Sequence, residues 1–376
     1  TTVSGGTLVI GGAGYLGADA SYAGNIAIAS GALLKYSSTH DQTLSGIISG
    51  QGGITKDVSS SSNLTLSGTN TYSGATSISV GTVTLASNGA LGSTSGATVS
   101  AGATLAISGS SLSIAQAVTL NGNGVGSAGA LLNVSGNNSI THSIVLGSAS
   151  SIGVTANTLT LSGSSSTTVT GSGMGLTFVG AGNVTVNNPI ATVAGTVTLN
   201  GSGTVTFTTN NTYTGQTTIS SSSKLALSLT GSIASSAKLD NEGIFDISAT
   251  TSGASIKSLY GTTSGASVVL GIKTLTISNA NDSYAGVISG SGGIILTTGT
   301  QTLTGSNTYT GNTTINGGTF VVGGAGALGY SSGSGAYSST IAIGSGALFQ
   351  YSSSLDQVLS GLISGAGAVT TDTSSS

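Results

Sequence analysis

The 376-residue chain contains 63 Gly, no Cys and no Trp, and only 4% of its residues are charged, against about 25% in ordinary soluble domains. Its net charge is −3, it has no Arg, and its six Lys are scattered, so it lacks the basic patch that nucleic-acid binding requires. The absence of Cys excludes disulfides and thiolate sites. No apolar run approaches the roughly 18 to 20 residues of a membrane helix. We therefore expect no nucleic-acid partner, no cofactor and no membrane insertion of this segment.

The sequence at the start of the chain recurs near its other end. The matching blocks are residues 5–17 with 317–329, at an offset of 312 (319 − 7), and residues 26–57 with 341–372, at an offset of 315 (341 − 26). Long-range self-similarity of this kind is typical of solenoids, in which each unit covers only its neighbours. We expect residues 1–376 to form a single continuous β-solenoid, a window of a longer repetitive protein. Its large repeat spans about 312–315 residues, with 5–61 equivalent to 317–376.

Short segments that alternate apolar and polar residues fill the chain between these ends. Examples, in chain order, are TLTLSG at 158–163, NVTVNN at 183–188, TVTLNG at 196–201 and TVTFTT at 204–209. Alternation is the period of a strand with one buried face, and Thr and Val favour strands. Gly, Asn and Ser interrupt these segments and mark turns. The pattern predicts an all-β protein and shows no convincing helix.

A parallel β-helix, or β-solenoid, accounts for these strands better than the alternative, a β-sandwich. The repeats extend along the whole chain, small residues allow tight corners, and parallel stacking supplies each strand's backbone hydrogen bonds from the coils on either side. Val, Ile, Leu and Ala would then stack as ladders in a narrow core. We predict an elongated parallel β-solenoid.

One short phrase recurs as NTYSG and twice as NTYTG. Its repeated positions are Asn70, Tyr72, Asn211, Tyr213, Asn307 and Tyr309. We expect the asparagines at turns, where Asn tolerates a left-handed backbone and bonds to nearby amides. We expect each tyrosine ring to pack on a neighbouring coil, with its hydroxyl in water. A surface tyrosine that stacks on carbohydrate is the alternative, but the link to a repeated turn favours the structural interpretation.

The residues around the first copy of this phrase resemble the passenger-associated repeat of bacterial autotransporters. GQGGITKD at 50–57 leads into LTLSGTNTYSGATSISVGTVTLAS at 64–87. The copy at 290–322 has Ile-Leu in place of Thr-Lys, and the copy at 203–228 lacks the GGT. The resemblance implies a secreted, right-handed parallel β-helix on a Gram-negative cell surface, with a role in adhesion, in aggregation or as a stalk. It transfers no catalytic residue.

Catalysis by a polysaccharide-degrading β-helix would require clustered carboxylates. The one local cluster is KLDNEGIFD, with Lys238, Asp240, Glu242 and Asp246. Asp240 and Glu242 are predicted to share one side of a strand. We interpret the cluster as a solvated turn in which the lysine pairs with the acids beside it.

Two histidines are the remaining candidates for chemistry. His40 and His142 lie far apart, and the second copy of the large repeat has Leu355 where the first has His40, so we expect no metal site. A Thr-rich flat face could bind ice, although the in-register Thr-x-Thr arrays that this would need are not visible in the sequence.

These observations predict a non-enzymatic structural segment of a giant bacterial cell-surface or extracellular-matrix fibre that supports adhesion, aggregation or biofilm formation. Its expected partners are further copies of itself, including laterally bundled fibres, and surface glycans. The alternative is a host- or glycan-binding adhesin passenger. A polysaccharide-degrading β-helix enzyme and an ice-binding protein come third. In each of the first two cases the chain is extracellular.

Overall fold

The computed structural model describes residues 1–163, 169–330 and 336–372. In these residues the chain is all-β, with one 3-10 turn at Val125–Ser127 and no α-helix. Its named strands pair in parallel with strands about one coil away in sequence. The predicted fold class, an all-β parallel β-solenoid, is therefore confirmed; the right-handed winding and the elongation stay predictions.

The chain divides into two compact units, residues 1–195 with 201–203 and residues 196–200 with 204–376. The strands that lie in the first unit are β1 (Thr2–Val3), β2 (Thr7–Gly12), β3 (Ser21–Tyr22), β4 (Ile26–Ile28), β5 (Leu33–Ser38), β6 (Gln42–Leu44), β7 (Ile48–Gly50), β8 (Gly53–Lys56), β9 (Asn63–Leu66), β10 (Thr76–Ile78), β11 (Gly81–Leu85), β12 (Ala97–Val99), β13 (Ala103–Ser108), β14 (Ser113–Ile114), β15 (Val118–Gly122), β16 (Leu131–Ser135), β17 (Asn138–Ile140), β18 (Ile144–Val154), β19 (Thr158–Leu161), β20 (Val169–Thr170), β21 (Leu176–Gly180), β22 (Asn183–Val186) and β23 (Ile190–Ala191).

The strands that follow are β24 (Val197–Gly201), β25 (Thr204–Phe207), β26 (Thr217–Ile219), β27 (Lys224–Leu229), β28 (Leu239–Asn241), β29 (Ile244–Thr250), β30 (Ala254–Ile256), β31 (Leu259–Tyr260), β32 (Ser267–Val269), β33 (Leu275–Ile277), β34 (Ala280–Tyr284), β35 (Val287–Ser289), β36 (Ile294–Leu296), β37 (Gly299–Leu303), β38 (Thr313–Ile315), β39 (Thr319–Gly324), β40 (Ala336–Tyr337), β41 (Ile341–Ile343), β42 (Leu348–Ser353), β43 (Val358–Leu359), β44 (Ile363–Gly365) and β45 (Ala368–Thr371). That residues 1–376 form a single continuous solenoid stays a prediction.

The core of the first unit is a set of side-chain ladders. The strands β5, β8, β10, β12 and β15 pair in that order, and their inward residues are Leu34, Ile54, Thr76, Ala97 and Val118. All of these ladder positions are buried. Since burying one aliphatic side chain contributes about 1.5–3 kcal/mol, each coil gains stability only when its neighbours cover it.

The outward residues of the same strands form a second ladder, which bears on the ice-binding hypothesis. Thr55, Ser77, Thr98 and Thr119 stand in register along one face. The three-residue strands β10 and β12 each have one outward residue, flanked by two buried ones. Coil-to-coil register therefore exists, but these strands present a single hydroxyl each rather than a Thr-x-Thr pair.

The second unit builds its core in the same way. The strands β30, β33, β36, β38 and β41 pair in that order, and the aliphatic residues that they stack inward are Ile256, Ile277, Leu296, Ile315 and Ile343. A further ladder includes Phe320 and Phe349, whose rings stack with centroids 6.3 Å apart. Narrow aliphatic and aromatic columns thus fill the interior of this unit too.

Glycine allows the coils to stack closely at their corners. Gly50 has φ 98°, and a Cβ atom there would lie 2.1 Å from the carbonyl oxygen of Ile28 on the preceding coil. Gly365 is its equivalent near the other end and has φ 111°; a Cβ atom there would lie 2.0 Å from the carbonyl oxygen of Ile343. A side chain at either corner would force the coils apart.

Candidate functional site

Each Asn-Thr-Tyr element lies between two strands of a coil. The first follows β9 and precedes β10, the second lies between β25 and β26, and the third between β37 and β38. All three asparagines and all three tyrosines are at most 5% exposed. The repeated phrase therefore belongs to the interior, where each polar atom needs a partner.

The asparagine side chain ties three successive coils together. The Oδ1 atom of Asn70 accepts a hydrogen bond from the backbone N–H of Ile48 at 2.8 Å, and its Nδ2 atom donates to the carbonyl of Ala90 at 2.7 Å. Ile48 lies on the coil before and Ala90 on the coil after. Asn307 makes the equivalent two bonds at 3.0 and 3.1 Å. Asn211 donates to the carbonyl of the following coil at 3.1 Å.

The tyrosine hydroxyl forms a hydrogen bond within the element. In every copy it lies 2.7 Å from the Oγ1 atom of the threonine four residues later; the pairs are Tyr72 with Thr76, Tyr213 with Thr217 and Tyr309 with Thr313. A hydroxyl on the next coil then donates to the carbonyl of the glycine two residues after the tyrosine. These donors are Thr94 to Gly74, Ser236 to Gly215 and Tyr337 to Gly311.

Burial makes these phenols weaker acids than an exposed tyrosine. It raises the pKa of Tyr72 to about 12, although the Thr76 hydrogen bond opposes the shift. Burial likewise raises the pKa of Tyr213 and of Tyr309, each further above the ordinary value of 10.0. The hydroxyls thus stay protonated at neutral pH and act as hydrogen-bonding groups rather than as acids or bases.

Two details of these residues differ from the sequence-based expectation. The tyrosine hydroxyls are enclosed rather than in water, because the threonine four residues later supplies a partner inside the coil. The asparagines do not have the left-handed backbone, since none of the three is among the described non-glycine residues with positive φ. Their amides act across coils, and those of Asn211 and Asn307 also donate to a carbonyl two residues earlier, at 3.3 and 2.8 Å.

The sequence did not predict a second set of amides, at Gln42, Gln301 and the partly buried Gln357. The Oε1 atom of Gln42 accepts from the backbone N–H of Leu16 at 2.6 Å, and its Nε2 atom donates to the carbonyls of Leu16 and Ala20 at 3.2 and 2.8 Å. Gln301 and Gln357 hold a backbone leucine in the same two-bond manner. The available signal was the recurrence of Gln-x-Leu in a chain that has only seven glutamines.

The acidic cluster at 238–246 does not form one site. Asp240 and Glu242 do face the same side, flanking buried Asn241. However, Lys238 pairs with Asp282, 3.2 Å away on another coil, and its amine lies 4.1 Å above the ring of Tyr260. The expected pairing of the lysine with the acids beside it is therefore wrong, because the nearest opposite charge is across the coils.

The three acids of the cluster have separate roles. Glu242 accepts hydrogen bonds from the backbone N–H groups of Thr262 and Thr263, both at 2.8 Å. Asp246 pairs with Lys224 on the preceding coil at 2.8 Å. Burial and the negative charge of Glu242 raise the pKa of Asp240, whose Oδ2 atom accepts from Gln216 at 3.1 Å. All three carboxylates are thus already used in bonds to neighbouring coils.

The histidines lie apart, as expected. His40 contributes its backbone, since its carbonyl accepts from the Tyr36 hydroxyl at 2.6 Å and its N–H donates to Ser38 at 3.1 Å. The Nδ1 atom of His142 lies 2.9 Å from the backbone nitrogen of Ser143. Residues 1–163, 169–330 and 336–372 contain no group of three or more His, Cys, Asp or Glu side chains placed to hold a metal ion. Across the described ranges, no helix is long and apolar enough to span a bilayer.

Comparison with known proteins gives one family. Residues 60–85, 197–221 and 298–322 match the passenger-associated-transport-repeat, and each match includes one of the Asn-Thr-Tyr elements. Searches of curated proteins and of solved structures gave no match. The chain thus carries three passenger-associated-transport-repeats within a parallel β-solenoid, a combination consistent with the passenger domain of an autotransporter.

Proposed function

We propose that this chain is a structural segment of a bacterial surface or secreted fibre, and that it supports adhesion, aggregation or biofilm formation without catalysing a reaction. The observation that supports this most directly is the hydrogen bonding of the polar side chains in the three matched repeats. Their asparagine side chains are used in bonds between successive coils, and their tyrosine and threonine side chains bond to each other inside the coil. A sequence that repeats these bonds extends a scaffold.

The energetics support the same role. Backbone pairing and aliphatic ladders recur from coil to coil, so additional coils add stability by the same means. The described residues have three ion pairs, so few charges contribute to cohesion. A surface with 4% charged residues also has little electrostatic repulsion between neighbouring fibres. Many weak lateral contacts would then add up to firm association. The proposed partners are other copies of the chain, and the proposed location is the cell surface or the secreted matrix.

Surface display tests the adhesive role. The full chain is presented on a bacterium that lacks its own adhesins, and the control cells carry the anchor alone. We expect faster settling and thicker surface films from cells that display the chain. Equal settling and equal films, with display verified by protease accessibility, would refute the proposal.

The proposed lack of catalysis has its own test. The purified chain is incubated with neutral and acidic polysaccharides, and released reducing ends are measured. A matched variant carries Asp240→Asn, Glu242→Gln and Asp246→Asn together. We expect no release from either protein. Cleavage by the wild type that the variant loses would establish an enzyme in place of a scaffold.

A further inference from the structure

A groove runs across successive coils of the second unit. Two cavities, of about 470 and 400 Å³, adjoin and share Thr274 and Ile295 as lining residues. Their combined lining comes from five successive coils, at 229–232, 251–255, 272–276, 291–295 and 311–314. These volumes lie in the range of ligand-binding sites in proteins.

The floor of the groove is a ladder of outward side chains in register. Ser255, Thr276, Ile295 and Thr314 pair position by position along β30, β33, β36 and β38. Three of these four side chains carry a hydroxyl, and the fourth is aliphatic. The groove therefore offers hydrogen-bonding groups at the spacing of the strands, which is about 4.8 Å.

Glycines beside this ladder let the coils that line the groove stack closely. A Cβ atom at Gly292 would lie 1.8 Å from the carbonyl oxygen of Lys273, and one at Gly311 would lie 2.3 Å from that of Gly292. Because backbone packs directly on backbone here, a side chain at either position would force the coils apart. Ile272 forms part of the rim and is 76% exposed.

No charged side chain is among the residues that line either cavity of the groove. The amine of Lys273 lies at the edge, where it donates to the backbone carbonyl of Thr251 at 3.1 Å. An anionic polymer would find no counter-charge on the floor, so an uncharged ligand matches this surface best.

The spacing of the ladder discriminates between classes of uncharged polymer. An extended peptide advances about 3.3 Å per residue, and its like-facing side chains recur at about twice that distance, so neither repeat matches a strand spacing of about 4.8 Å. One unit of an extended β-linked sugar chain has about the length of a strand spacing. Each sugar would therefore lie over one coil, with consecutive sugars rotated by about half a turn so that alternate sugars present the same face.

We propose that this groove binds an uncharged, extended β-linked glycan that lies across the coils, one sugar per strand. Hydroxyls of Ser255, Thr276 and Thr314 bond to the sugars, and Ile295 packs against a ring face. Several weak contacts in series give an affinity that grows with chain length. The inference does not depend on the fibre proposal, because a groove of this kind would bind a glycan whether or not the chain promotes aggregation.

Titration calorimetry with the full chain tests the groove. The probes are β-1,4-linked glucose oligomers of two and six units, and a β-1,4-linked hexamer of mannuronate as the charged control. We expect the glucose hexamer to bind at least about tenfold more tightly than the dimer, which corresponds to 1.4 kcal/mol, and more tightly than the mannuronate hexamer. No binding of the glucose hexamer, or equal affinity for dimer and hexamer, would overturn the proposal.

Variants locate the binding. Thr276→Trp fills the groove, and Thr119→Trp is the matched control at an outward threonine of the first unit. We expect the first to abolish hexamer binding and the second to leave it unchanged. Ile272→Arg, at a position too exposed to affect folding, blocks the rim and should weaken binding at least about tenfold. Unchanged affinity in both groove variants, or equal loss in the control, would place the site elsewhere and refute the assignment.

Discussion

The two copies of the large repeat, residues 5–57 and the described residues 317–330 and 336–372, fold alike in their separate units although they differ in charge. Thr7 pairs with Leu33 between β2 and β5, and Thr319 pairs with Leu348 between β39 and β42. The remaining registers of these strands also correspond. Identical pairing thus survives many side-chain differences.

What the copies share is a set of corner bonds. Tyr36 donates to the carbonyl of His40, and Tyr351 donates to the carbonyl of Leu355. Because this hydrogen bond uses only the backbone of the corner residue, histidine and leucine serve equally as its acceptor. The glutamine bonds to a backbone leucine are also present in both copies.

What the copies do not share is charge. Lys35 pairs with Asp57 at 2.6 Å in the first copy, where the second has Gln350. The buried amine of Lys56 donates to the backbone carbonyls of Val58 and Ser59, where the second copy has Thr371. The comparison teaches that corner amides and hydroxyls specify the coil, and that ion pairs are additions to it.

The largest effect is expected from removing a shared glutamine. Gln42→Leu leaves the backbone groups of Leu16 and Ala20 without their buried partner, which should lower the local opening free energy by about 2–4 kcal/mol. Native-state hydrogen exchange of the Leu16 amide measures this. The matched change Gln357→Leu should likewise reduce the protection of the Leu328 amide from exchange. Gln51→Leu, at an exposed turn, should have no effect. Unchanged protection of Leu16 would show that the amide bonds do not specify the corner.

The second effect concerns the Asn-Thr-Tyr elements, which recur three times along the chain. Tyr72→Phe removes the hydroxyl partner of buried Thr76 and should lower the local opening free energy by about 1–2 kcal/mol. Since the folded pKa of about 12 lies above the ordinary value of 10.0, the wild-type stability from this group is complete below pH 10 and falls as the pH rises from there through 12.

Hydrogen exchange of the Tyr72 region and tyrosinate absorbance check these expectations. The phenylalanine variant should lose the part of the alkaline decline that Tyr72 contributes. Ionisation of all eleven tyrosines near pH 10 in the folded chain would contradict the enclosed hydroxyls.

The third effect concerns the buried lysine, Lys56, which only the first copy has. Lys56→Thr installs the residue of the second copy and should change stability at neutral pH by about 1 kcal/mol or less. Burial lowers the pKa of Lys56 below 10.5, so between the lowered pKa and 10.5 the unfolded chain binds more protons, and wild-type stability rises with pH across that window.

Urea unfolding of both proteins from pH 7 to 10.5 tests this. The difference between wild type and Lys56→Thr should shift in favour of the wild type as the pH rises. A constant difference would mean that the amine gains no stability from losing its proton.

The smallest effect is expected from the surface ion pair. Lys35→Gln, again the residue of the second copy, should cost less than about 1 kcal/mol because both side chains are partly exposed. Burial alone would raise the pKa of Asp57, but the hydrogen bonds from Lys35 and Ser37 outweigh it and lower the pKa below 3.8. The contribution is therefore present above pH 3.8 and is lost as the pH falls through the lowered pKa. Urea unfolding at pH 6 and in acid measures it, and a loss comparable to that of Gln42→Leu would reverse the ranking of the two kinds of contact.

Much of the fold was predictable because it depends on local order. Alternating residues in segments such as TVTF place one side chain inward and the next outward, and this alone indicates strands with one buried face. Repetition of those segments, with Gly, Asn and Ser between them, indicates a solenoid. The recurring Asn-Thr-Tyr phrase identified the segments that match the passenger-associated-transport-repeat. All of these features are contained in neighbouring residues of one coil.

Contacts between coils were decided only by the tertiary structure. The hydroxyl that reaches the glycine of each element comes from a residue 20 positions later for Thr94, 21 for Ser236 and 26 for Tyr337. Likewise, Lys238 passes over the acids beside it to reach Asp282, 44 residues away. The sequence determined what each coil is made of. The stacking determined which residues meet, because coil length varies and the neighbour of a side chain depends on the residues that loops insert between coils.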